Sequence, residues 1–143
     1  MREFCSEQNC EVQIADATLV FGKTHLLSAF EHAKRAFKEG RNSSTSLVNE
    51  ILLYASGERQ ISSAISKMGI HKETTEFCIL LVGNCHLDLL LQSMELKRDD
   101  SVLRGDVERL GAFGITDDEM RSVPREKVLE LVLEKVAMVD LLK

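Results

Sequence analysis

Residues 46–69 read SLVNEILLYASGERQISSAISKMG, and their pattern decides the fold. Leu47, Val48, Ile51, Leu52 and Ala55 recur at helical spacing, which predicts a helix with one inward face. Gly57 breaks that helix. Ile61, Ala64, Ile65 and Met68 give a second, shorter helix its inward face, and Gly69 stops it. So short a connection forces a tight corner between the two. The corner carries Arg59 and Gln60, in a chain whose net charge is −5.

Outward from this corner, strands and helices interleave. EVQIADATLVF (11–21) alternates apolar and polar residues and predicts one or two short strands. KTHLLSAFEHAKRAFKEG (23–40) places Leu26, Leu27, Phe30, Ala33 and Phe37 at helical spacing, with Gly40 as a stop. EFCILLVG (76–83) is a continuous apolar run, which predicts a fully buried central strand. HLDLLLQSMELK (86–97) predicts a helix, and DDSVLRGD (99–106) a short edge strand. Two short helices follow, the second opened by a capping box of Thr116 and Glu119. Pro124 suits the first turn of a last helix running to residue 143. The fold class is α+β: a small, mostly antiparallel sheet packed with several helices and a long C-terminal helix. The length fits one domain, residues 1–143, able to bury roughly 70% of its unfolded surface.

Composition narrows the function classes. With 44% hydrophobic and 29% charged residues and one proline, the chain reads as globular rather than disordered. Its longest apolar runs are too short to span a bilayer, so no membrane partner is expected. Glu3, Glu7 and Glu11 do not suit a signal peptide, and the expected location is cytoplasmic. Cys5, Cys10, Cys78 and Cys85 contain no C-x-x-C pair, and His86 has no partner at a zinc-like spacing, so no metal site is expected. The thiols read as buried or incidental. A Cys5–Cys10 pair would need an oxidising compartment of which the chain gives no sign.

Charge is unevenly spread. Residues 23–72 carry +4 and residues 73–143 carry −6. A basic region on an acidic protein can still meet a phosphate backbone, although on charge alone a solvated helix face is the simpler reading. FGKT (21–24) resembles the end of a phosphate-binding loop, but Ala17 stands where the first glycine belongs. Lys23 still lies near a helix start. His25 and His32 have no nucleophile or carboxylate partner in a recognisable pattern, and no hydrolase, zinc-protease or dinucleotide motif is present. Nothing points to an enzyme, a cofactor or a small-molecule substrate. With no Trp and one Tyr, a broad stacking platform for single strands is not expected.

Two features remain. At the corner, Arg59 begins a helix whose outward side continues with Ser62, Ser63, Ser66 and Lys67. A guanidinium beside free helix amides suits a phosphate or the edge of a nucleotide. The alternative is a structural clamp in which Arg59 pairs with Glu58 or Glu50. In the last helix, Val128, Leu129, Val132, Val136 and Val139 form a core face, while Leu131, Met138 and Leu142 make a second apolar line. That line either sinks into the domain or docks a partner.

The string NEILLYASGERQISSAI (49–65) resembles a family signature: an apolar helix, Ser-Gly, any residue, Arg-Gln-Ile, and a second helix. THLLSAFEHAKRA (24–36), RDDSVL (98–103) and VLELVLEKVAMVDLLK (128–143) extend the resemblance over most of the chain from about Val20. The chain resembles the small kinase-binding, tRNA-binding subunits of the KEOPS complex, the PRPK-binding protein family, in its archaeal-type form. The resemblance implies a non-catalytic subunit of the complex that installs threonylcarbamoyl on adenosine 37 of tRNA. It implies two partners: the complex's small atypical kinase-ATPase, which it binds and activates, and tRNA, held by its 3′ CCA end. By carry-over, Arg59, Gln60 and Ile61 are the candidates for RNA contact, with Lys23, His25 and Lys67 added from charge and placement. Leu131, Lys135, Met138 and Leu142 are the candidates for kinase contact. A protein-only scaffold with a structural Arg59 is the alternative. RNSSTS (41–46) lacks an asparagine-aromatic pairing found in some members, and Asn49 stands where a larger apolar residue is common.

Overall fold

A computed structural model describes residues 1–143. The order is α1 (Arg2–Glu7), β1 (Glu11–Asp16), α2 (Lys23–Lys38), α3 (Leu47–Ser56), α4 (Ile61–Met68), β2 (Phe77–Val82), α5 (Leu87–Ser93), α6 (Asp117–Arg121) and α7 (Val128–Leu142). Four 3-10 segments lie between these, at 17–19, 100–102, 107–113 and 125–127. The class is α+β, as the periodicity predicts. No helix is long and apolar enough to cross a membrane.

The helix α3 is the axis of the fold. Residues 50 to 56 are all buried, more than an amphipathic stripe requires, because helices and sheet surround it. On one side, α2 buries Ala29, Ala33 and Ala36, whose small side chains let the two backbones approach closely. On another, α7 contributes Val128, Val132, Val136 and Val139. The sheet packs its Ala15, Cys78 and Leu80 side toward α3, and Gln13 donates to the Asn49 side chain at 2.9 Å. These residues belong to one continuous apolar core, with Leu110, Phe113 and Ile115 closing its end.

Several expectations change. The strand β2 is not central: it pairs antiparallel with β1 alone, with Ala15 opposite Cys78 and Gln13 opposite Leu80. Residues 100–102 form a 3-10 turn rather than an edge strand, because the Asp99 carboxylate accepts from the N–H and hydroxyl of Ser101 and closes the chain locally. The same device, Asp16 accepting from Thr18, turns residues 17–19 out of the β1 direction. Arg109 also binds Asp16, at 2.6 Å. Burial pushes the Asp16 carboxyl up, but the bonds from Thr18 and Arg109 outweigh it and hold the group below the usual range. Ile65 is exposed, since α4 turns only Ala64 and Met68 fully inward. The α1 helix was not expected; six residues are too few to display a period. The capping box at Thr116 and Glu119 is present, and Pro124 caps the 3-10 turn that leads into α7.

Two of the four cysteines also depart from expectation, while Cys5 and Cys78 are the buried thiols expected. Cys10 and Cys85 form a disulfide between positions 75 residues apart, tying the start of β1 to the end of β2. Cys5 and Cys78 are free and buried, and burial pushes the Cys78 thiol up to about 11.

Candidate functional site: the helix corner and the last helix

The corner is built from α3 outward. Gly57 takes the left-handed conformation, φ +73°, that ends α3, and its N–H donates to Tyr54 O at 3.1 Å. Ser56 Oγ donates to Leu53 O at 2.8 Å and accepts the Glu58 N–H at 3.2 Å. From α4, Lys67 reaches back to donate to Ser56 O at 3.0 Å, pairs with Glu58 at 2.7 Å, and lies over the Phe113 ring at 5.5 Å. The cation that ties the corner together is therefore Lys67.

This leaves Arg59 without a structural task. It is exposed and makes no ion pair or hydrogen bond, and both proposed clamp partners are taken, Glu58 by Lys67 and Glu50 by Lys143. Gln60, also exposed, caps α4 without a side-chain bond to the helix amides. Ile61 follows, half-buried against the core.

The other three residues expected at an RNA contact lie differently. His25 is fully buried. Its Nδ1 accepts the Phe21 N–H at 3.0 Å and its Nε2–H donates to Ala55 O at 2.8 Å, which fixes the neutral tautomer. Burial pushes its pKa down to about 4. His25 thus supports the end of α3 from behind and presents no surface. Lys23 is exposed in the first turn of α2 and pairs with Asp100 at 3.2 Å, where Arg98 also binds. Lys67 is spent internally.

Along α7, the middle of the helix adjoins the corner: a Cβ added to Gly57 would lie 3.6 Å from the Lys135 Cβ. Leu131 packs partly against the core, and Lys135 is half-buried. Toward the end, Met138 and Leu142 are exposed, joined by Leu141, which is 82% exposed. The sequence reading missed Leu141, although its place beside Leu142 at the end of an apolar helix was a usable signal.

A polar network anchors this end of α7. Asp140 accepts from the Tyr54 hydroxyl, meets His32 Nδ1 at 2.8 Å and Arg41 at 3.3 Å, and the Tyr54 and His32 rings stack at 5.5 Å. Burial pushes the Asp140 carboxyl up, but the bonds from Tyr54 and His32 hold it below the usual range. Burial, then Asp140, pushes the Tyr54 hydroxyl up. Lys143 pairs with the buried Glu50 and sits over the Tyr54 ring. The hydrogen-bonded and ion-paired partners lie 86 or more residues apart along the chain, a coincidence that no local pattern discloses. The network holds the helix while leaving Met138, Leu141 and Leu142 outward.

Residues 2–140 match the family described as kinase binding protein CGI-121. The chain is similar to the EKC/KEOPS complex subunit cgi121 of Aspergillus fumigatus, 27% identical over 129 residues, covering 78% of this chain and 68% of that protein. It is similar also to Regulatory protein Cgi121 of Methanocaldococcus jannaschii, 30% identical over 141 residues, covering 92% of this chain and 84% of that one. With the family match extending through both the corner and α7, this chain belongs to the CGI-121 kinase-binding protein family.

Proposed function

We propose that this protein is a non-catalytic regulatory subunit of a KEOPS complex, acting in threonylcarbamoyladenosine modification of tRNA. It binds and activates the small atypical kinase-ATPase through the exposed end of α7, with Met138, Leu141 and Leu142 as apolar anchors beside Leu131 and Lys135. It recruits tRNA by the 3′ CCA end at the corner, where Arg59 offers a free guanidinium and the unpartnered start of α4 offers backbone N–H groups. The observation that carries this reading is a pairing. The family match spans both features, and Arg59 and the outer line of α7 are also the groups that folding leaves unused.

The RNA half is tested by binding one tRNA with and without its terminal CCA at two salt concentrations. The proposal expects salt-dependent binding that needs the CCA end and weakens in Arg59→Glu. Equally weak binding of both RNAs would favour the scaffold reading, with function resting on the kinase surface alone.

A further inference from the structure

One end of the sheet joins two peripheral segments by a single covalent tie. The chain enters β1 from α1 through Asn9 and Cys10, and it leaves β2 for α5 through Gly83 and Cys85. The Cys10–Cys85 disulfide links these two crossings, and both cysteines are half-buried rather than enclosed. Disulfides that solvent can reach are the labile ones, open to attack by an external thiolate. Cys5 and Cys78 are buried, so thiol exchange is confined to the bonded pair.

Apart from this bond, little holds α5. The His86 N–H donates to the Gln8 side chain at 3.1 Å, and no other hydrogen bond or ion pair links residues 84–97 to the rest of the fold. Leu90 is the one fully buried residue of the helix, while Leu89 is 52% exposed. Leu87 and Leu91 line a cleft of about 380 Å³ that also touches Leu26 and Ile79, so the packing beneath the helix is incomplete. One buried leucine offers little against the entropy of ordering a whole segment. Gly83 supplies a pivot. Its φ of +120° suits glycine, and a Cβ there would lie 3.0 Å from Asn9 O. The direction in which the chain leaves that pivot is set by the bond at Cys85.

We propose that the Cys10–Cys85 bond is a redox latch on α5. Oxidised, it holds the helix over the cleft beside β2; reduced, it lets residues 84–97 swing about Gly83 and uncovers their leucines. The reductant is a dithiol. One of its thiolates attacks a sulfur of the pair, forming a mixed disulfide and displacing the other sulfur as a thiolate. Its second thiolate then releases the first sulfur. The chain gains two electrons and two protons as two thiols, and the dithiol becomes a disulfide. The sheet stands without the bond, because β1 pairs with β2 from Glu11–Val82 to Asp16–Phe77 and Ala15, Cys78 and Leu80 are anchored in the core. The latch shares no residue with the corner or with α7, so its failure would leave the kinase and tRNA reading untouched.

The test is amide hydrogen exchange of the full chain, read by mass spectrometry in the oxidised state, after dithiothreitol, and after reoxidation with oxidised glutathione. Reduction should speed exchange across residues 86–97 at least about tenfold, reversibly, while β1, β2 and α3 keep their protection. Cys10→Ser with Cys85→Ser should exchange fast in this segment and ignore dithiothreitol. If that variant does not fold, the unaltered protein under reductant still decides. Equal exchange of residues 86–97 in both redox states overturns the proposal. So does a loss of protection that spreads through the sheet and α3, which would make the bond a staple of the whole fold. An oxidised protein in which all four thiols still label would overturn it as well.

Discussion

Glu50 and Lys143 form an ion pair inside the fold, the carboxylate fully buried and the lysine side chain only 9% exposed. The Ser43 and Ser44 N–H groups also bind this carboxylate, at 2.9–3.1 Å. Removing one partner of such a pair leaves an uncompensated charge, which costs far more than the pair contributes. Lys143→Met should therefore destabilise the fold by about 3 kcal/mol. Adding Glu50→Gln should recover part of that loss, which urea denaturation of the single and double variants would measure.

His25 gives stability a pH dependence of known sign. Its folded pKa, about 4, lies below the ordinary value of 6.5 because burial disfavours the cation. The stabilisation is thus present above pH 6.5 and is lost as pH falls toward 4, since the unfolded chain takes up a proton that the folded one refuses. Over this window the loss should approach about 3 kcal/mol. Asp16 and Asp140, both held low, add their loss only below the ordinary carboxylate range. His25→Gln should remove about one proton from the slope between pH 4 and 6.5 in unfolding measured across pH.

The Cys10–Cys85 disulfide closes a span of 75 residues. Such a loop restricts the unfolded chain by up to about 4 kcal/mol. Cys10→Ser with Cys85→Ser, or treatment with a dithiol reductant, should lower the melting temperature together. Thermal unfolding with and without reductant distinguishes this from an unformed bond, for which the reductant would have no effect.

Arg59 separates binding from folding. With no partner in the structure, Arg59→Ala should change stability by less than about 0.5 kcal/mol. Arg59→Glu should weaken tRNA binding and reduce its salt slope by about one ion. A large drop in melting temperature for Arg59→Ala would restore the clamp reading.

The helices were legible wherever an apolar stripe ran for several turns, as in α2, α3 and α7, and wherever a cap closed the pattern, as at Gly57 and Thr116. The sheet was less so. An unbroken apolar run such as β2 reports burial without naming the neighbour that provides it, and the reading supplied a strand at 99–106 that Asp99 instead coils into a turn. At the corner, the sequence disclosed Arg59 and Gln60 but not their freedom. That freedom depends on Lys67 taking Glu58 and on Lys143 taking Glu50, a pairing across 93 residues. His25 looked like a surface group because its helix begins beside Lys23. Only the packing of α2 on α3 turns its ring to Ala55 O.

The most direct test of the account measures the affinity of the kinase-ATPase subunit for the unaltered protein, for Met138→Glu and for Leu141→Glu, by calorimetry at equal salt. The account predicts a tight complex for the unaltered protein. It predicts at least about a tenfold loss for each variant, with folding unchanged because both side chains are exposed. Unchanged affinity in both variants would contradict it and move the kinase surface away from the end of α7.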